Sequence, residues 1–170
     1  MQALLYWLQI GIAMTIGFLD PVAAFDGRQF VVRLETKALF TDRMRDLVAH
    51  GLTLTLDLDA SLKVENPNGS TLRIYRNQRR SLRQDPLTKH YLLEDETGRK
   101  EYLDLDALEK AARSFQPFAF PLPEAWKSLS LFAKLRLVDD AVLSARLGIP
   151  ASELWEGYSP TIIKEWKAPP

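Results

Sequence analysis

The chain has no cysteine in its 170 residues. That excludes disulfides, thiolate nucleophiles and cysteine-ligated metals together. It leaves the compartment open, because a core of this size needs no covalent staple. Histidine is almost as scarce, with only His50 and His90. A metal site would draw on both plus carboxylates, and no ligand spacing surrounds either. His50 closes a helical stretch, where it can meet terminal carbonyls, and His90 lies on an extended segment. Neither sign of charge is in excess, with 22 basic and 22 acidic side chains. No global field therefore points to nucleic acid or an acidic substrate. The glycines are few and scattered, so no phosphate-cradling loop forms, and no G-x-S-x-G elbow occurs. The expectation is a protein without enzyme activity, metal or cofactor.

One long apolar run is present. ALLYWLQIGIAMTIGFL (Ala3 to Leu19) carries no charge. Val22 and Ala24 satisfy the small-residue rule for a cut after Ala24. The run also approaches the lower limit of a spanning helix, so an uncleaved anchor is the alternative. Residues 1–24 are thus expected to be a signal peptide or membrane anchor. Residues 25–170 are long enough for one domain with a real core. Both alternatives imply export.

GLTLTLDLDASLKVE (Gly51 to Glu65) alternates apolar and polar throughout. Such alternation predicts a strand with one wet face. NPNG (Asn66 to Gly69) predicts a turn, and STLRIYRNQRRSLRQ its partner strand, with Leu72 and Ile74 inward. Asp85-Pro86 breaks that strand. LTKHYLLEDE and RKEYLDL extend the meander around a Thr97-Gly98 turn. RQFVVRLET and SLSLFAKLRLV are further strands, the latter with Leu129, Leu131 and Leu135 inward. Two amphipathic helices follow Thr41 and Asp104 as N-caps. QPFAFPLPEAW, rich in proline and aromatics, reads as a covering loop, and the C-terminal tail as a short helix. The predicted class is β-rich α+β: an antiparallel meander sheet or sandwich with one or two packed helices. A membrane barrel needs many more such strands.

Three features could carry function. Asp57 and Asp59 share a strand face about 7 Å apart, a spacing a hydrolase of an envelope polymer could use. An exposed polar face explains them equally without chemistry. Arg73, Arg76, Arg79, Arg80 and Arg83 around Tyr75 form the most unusual local composition, with Tyr75, Arg76, Arg79, Arg80 and Arg83 the candidate contacts. They suggest an anion-binding strip, or arginines pairing with acids across the hairpin. The aromatic group Phe115, Phe118, Phe120 and Trp126 reads as core. For Trp155, Tyr158 and Trp166 both a platform and core remain open, and an exposed patch there would suit a subunit of a larger assembly.

RRSLRQDPLTKHYLLEDETGRKEYLDLDALEKAARSF resembles the middle of the domain of unknown function 4390 family, exported bacterial proteins. The resemblance is carried by Leu87, Thr88, Lys89, Tyr91 and Leu93, then Tyr102, Asp104 and Leu105. The helix, Gly51 and long strand before it also fit, as does Trp166 near the end. The segment from Ala141 to Pro150 fits only loosely. The resemblance implies an exported, envelope-associated protein with no catalytic residues to transfer. The functional expectation is a periplasmic or periplasm-facing anchored domain that binds an envelope component or partner protein, not nucleic acid.

Overall fold

A computed structural model describes residues 16–26, 28–138, 145–146, 148, 150–155 and 159–168. Its elements are β1 (Val22–Asp26), β2 (Gln29–Arg33), α1 (Asp42–Ala49), β3 (Leu54–Glu65), β4 (Thr71–Gln84), β5 (Tyr91–Asp95), β6 (Gly98–Tyr102), α2 (Leu105–Arg113), β7 (Phe118–Pro121), β8 (Ser128–Leu137) and β9 (Thr161–Lys167). The described strands make two antiparallel sheets, one of six strands in the order β6-β5-β4-β3-β8-β9 and one of three in the order β1-β2-β7. The fold is β-rich α+β, as the alternation and the two amphipathic stretches predict.

β3 is the spine of the larger sheet. Its inward set, Leu54, Leu56, Leu58, Ala60, Leu62 and Val64, is at most 2% exposed. Each fully buried leucine is worth about 1.5–3 kcal/mol. A one-residue slip would put all six into water, so the register is fixed. Leu54 lies opposite Leu82 and Glu65 opposite Thr71 across the β3–β4 hairpin. The turn closes where the Gly69 amide donates to the Asn66 carbonyl at 3.0 Å. Gly69 sits at φ +82°, a backbone glycine adopts without a Cβ penalty.

The smaller sheet covers the inward face. Phe30 and Val32 of β2 and Phe118 and Phe120 of β7 enter the shared core. The Phe30 ring meets Trp166 of β9 edge-on at 4.9 Å, tying the two sheets together. α1 and α2 share that core through Met44, Val48, Leu108 and Ala112. Their caps are the expected ones: Thr41 accepts from the Met44 amide at 3.3 Å and Asp104 from the Ala107 amide at 2.7 Å. Arg45 of α1 binds both Asp106 and Glu109 of α2.

Three segments differ from expectation. FAFP, read as loop, is β7, because Phe118 and Phe120 alternate inward between prolines and pair with β2. The tail forms a 3-10 turn at Ala151–Trp155 and then strand β9, which pairs with β8. The strand predicted over 28–36 ends at Arg33, beyond which Glu35 and Thr36 make only isolated bridges.

The expected cut after Ala24 falls inside β1, between Ala24, opposite Val31, and Phe25, opposite Phe30. Ahead of it, Ile16 and Phe18 are each 9% exposed and belong to the core. Phe18 also bridges Thr36. Residues 1–15 of the apolar run lie outside the described residues. Among the described residues no helix is long and apolar enough to cross a membrane.

The wide sheet ends in β6 on one side, whose Arg99, Lys100 and Glu101 are exposed, and in β9 on the other. On β9, Lys164 occupies an inward-parity position opposite Leu131 and pairs with Asp20 at 3.4 Å.

Candidate functional site

The arginine-rich segment does not form one strip. β4 alternates, so its residues divide between two faces. Tyr75, Arg79 and Arg83 share the outer face, while Arg76 and Arg80 share the inner parity of Leu72, Ile74 and Leu82.

Most of these arginines are engaged internally. Arg79 donates to both Asp57 oxygens, at 2.7 and 2.8 Å. That bidentate pair holds the Asp57 carboxyl below the usual carboxylate range despite its burial. Arg83 approaches Glu94 at 3.5 Å. Glu94 is held low chiefly by its hydrogen bond from Arg99. Arg76 donates to the Tyr75 carbonyl and lies 5.9 Å from the Phe120 ring centre.

Arg80 is structural. It is 3% exposed and sits 4.0 Å over the Phe115 ring. Its Nη1 donates to the carbonyls of Ala112 and Ser114 at 3.0 and 3.1 Å. These carbonyls close α2, where a cation complements the helix dipole. Burial pushes this guanidinium below its usual range, opposed by Asp95. Arg80 thus joins β4 to the end of α2.

The two strand-face aspartates are also occupied. Asp59 accepts from Asn77 Nδ2 at 2.7 Å and Arg136 Nη2 at 2.5 Å. Asp57 and Asp59 lie on one sheet face, each bound by a guanidinium from a neighbouring strand. A hydrolase pair needs one carboxyl held protonated near neutral pH. Asp57 is driven the opposite way. Among the described residues, no group of three His, Cys, Asp or Glu side chains could hold a metal ion.

The tail tryptophans are core. Trp155 is 2% exposed and its indole N–H donates to the Leu39 carbonyl at 2.9 Å. Trp166 is half-buried against Phe30. Tyr158 lies outside the described residues. Trp126 stacks on Phe25 at 5.4 Å, and Phe115, Phe118 and Phe120 are buried as expected.

The aromatics that do face outward are others. In register across β4, β3, β8 and β9 run Tyr75, Ser61, Phe132 and Ile163. Tyr75 is 67%, Phe132 40% and Ile163 65% exposed. Ser61, the short residue between two rings, is buried. The result is a hollow of about 440 Å³ lined by Asp59, Ser61, Tyr75, Arg76, Asn77 and Phe132. Further along β3 a second hollow of about 490 Å³ is lined by Lys63, Glu65, Ser128, Ser130 and Glu165. Small serines floor both, and longer side chains wall them. Of the four row residues, only Tyr75 belonged to the expected binding set. Phe132 was legible, since its neighbours Leu131 and Ala133 point inward. Ile163 was hidden with β9.

No protein-family model matches the chain, and no curated protein is significantly similar to it.

Proposed function

We propose that the protein is an exported, non-enzymatic binding domain whose wide sheet presents its outer face to a component of the cell envelope. The observation that carries this reading is the row of Tyr75, Phe132 and Ile163, exposed along one register line with only the short Ser61 between the two rings. A soluble domain gains nothing from exposing such a row, and contiguous exposed apolar side chains mark binding surfaces. The backbone beneath is paired on both sides along β3 and β8, so the row is held in place.

Export rests on the uncharged run before Asp20 and on the resemblance to the domain of unknown function 4390 family. Of the two fates of that run, retention as an anchor has the better physical support. Ile16 and Phe18 pack into the core and β1 spans the cut position. The domain then stands close to the membrane, facing the periplasm.

The test is co-sedimentation of the full chain, held in detergent, with envelope stripped of its lipid, so that an anchor cannot carry the association, with Tyr75→Ala/Phe132→Ala compared with the wild type. The double variant should leave the envelope fraction while keeping its thermal melt. Unchanged association would remove the outer face from the function.

A further inference from the structure

We propose that the outer-face trough binds an acidic glycan strand. This rests on the binding reading above and names its ligand class.

The shape calls for a chain-like ligand. The two hollows follow one another along β3, from Asp59 to Glu65. Six residues of strand span about 20 Å. That is the reach of several linked sugar rings, and too long for one small molecule. Tyr75 and Phe132 stand two strands apart, about 10 Å, with Ser61 between them. Rings so spaced offer apolar faces to the C–H faces of successive sugars. Asp59, Asn77, Ser61 and Ser130 supply the donors and acceptors that hydroxyl groups need.

The charges select an acidic strand. Asp57, Asp59 and Glu65 are each already in an ion pair with a neighbouring cation. Among the described residues, Lys63, Arg73, Lys134 and Lys167 on this face have no ion-pair partner, against Glu165 alone among the acids. Local cations therefore outnumber local acids, although the whole chain is neutral.

Other occupants fit less well. An extended peptide adds to a sheet edge through backbone hydrogen bonds, and this face offers none. A lipid surface would have to desolvate Asp59 and Glu165 beside the row, at high cost. A single-stranded nucleic acid carries a charge on every nucleotide and wants an unbroken basic groove, which Glu165 interrupts, whereas an acidic glycan with a charge on alternate sugars can straddle it.

The experiment is affinity electrophoresis of the full chain in gels carrying hyaluronan, dextran or dextran sulfate. Hyaluronan should retard the chain and dextran should not. Tyr75→Ala/Phe132→Ala should weaken hyaluronan binding about ten-fold or more. Lys63→Glu/Arg73→Glu should weaken it as well. The thermal melt of each variant confirms folding, since all four side chains are exposed. No retardation by hyaluronan would overturn the proposal. So would retardation by dextran sulfate that matches hyaluronan and survives loss of the rings, which is simple ion exchange. Tighter binding to phosphatidylglycerol vesicles or to a single-stranded oligonucleotide would also overturn it. Envelope co-sedimentation separates the two levels. If the ring variant leaves the envelope but hyaluronan never retards the wild type, the binding face stands and the glycan falls. If neither assay responds to the ring variant, both fall.

Discussion

Arg80 and Arg79 are neighbours in sequence and opposites in consequence. Arg80 is buried over Phe115 and caps the end of α2, whereas Arg79 is largely exposed in its pair with Asp57. Removing a buried cation strands the carbonyls it holds, whereas the place of an exposed one is taken by water. Arg80→Ala should therefore cost about 3 kcal/mol in urea unfolding, and Arg79→Ala clearly less. Equal losses would mean that Arg80 is not the joint between β4 and α2. Asp57 adds a pH dependence. Its carboxyl is held below the ordinary range, so its stabilisation is complete above pH about 4 and is lost as pH falls through the lowered value. Glu94 and Asp95 are held low too and act in the same direction. Urea midpoints should fall between pH 5 and pH 3, less steeply in Asp57→Asn than in the wild type. The parity that separates Arg76 and Arg80 from Arg79 and Arg83 was legible in the sequence. Leu72 and Ile74 were read as inward, and counting by twos from them reaches Arg76 and Arg80. What counting could not reveal is why an arginine is tolerated inside. That needed the carbonyls of Ala112 and Ser114, more than thirty residues away.

Among the elements, legibility followed the strength of the local signal. β3 and β4 were plain, because long alternation and an Asn-Pro-Asn-Gly turn agree with each other. Both helices were plain for the same reason, with caps and apolar stripes in step. β7 was not, since four residues between prolines carry too short a period to read. β9 was obscured by Lys164 at an inward-parity position. β1 was hidden by the apolar run that leads into it. That strand yields a direct stability prediction. A chain beginning at Phe25 lacks Ile16, Phe18 and three of the β1 pairs, Val22–Arg33, Ala23–Val32 and Ala24–Val31. It should be less stable than one beginning at Ile16 by about 3 kcal/mol or more, from the lost apolar burial alone. Paired thermal melts of the two chains check this. Equal melting would mean that the segment before Phe25 only rests against the fold.

At the scale of the molecule, the two sheets and both helices share one core. Trp126 stacks on Phe25 of the small sheet, Trp166 meets Phe30 across the sandwich, and Trp155 binds the Leu39 carbonyl. These tryptophans therefore report contacts that bind separate elements together. Melting followed by tryptophan fluorescence and by far-ultraviolet circular dichroism should coincide in one transition. An earlier fluorescence change would show the small sheet detaching first. The candidate site belongs to this scale as well. Its four row residues come from four strands, and only their register makes them neighbours.

The borders of the six-stranded sheet have a consequence for crowding. A wide sheet with an open face invites further strands to dock along its rims, copy after copy. Here one rim is five residues long with Arg99, Lys100 and Glu101 in its middle. The other carries Lys164 turned toward the core side and tethered to Asp20. A second copy laid against either rim would have to face like charges or untie that tether. The molecule can thus keep the wide outer face of its sheet on show at high local concentration without growing into fibres.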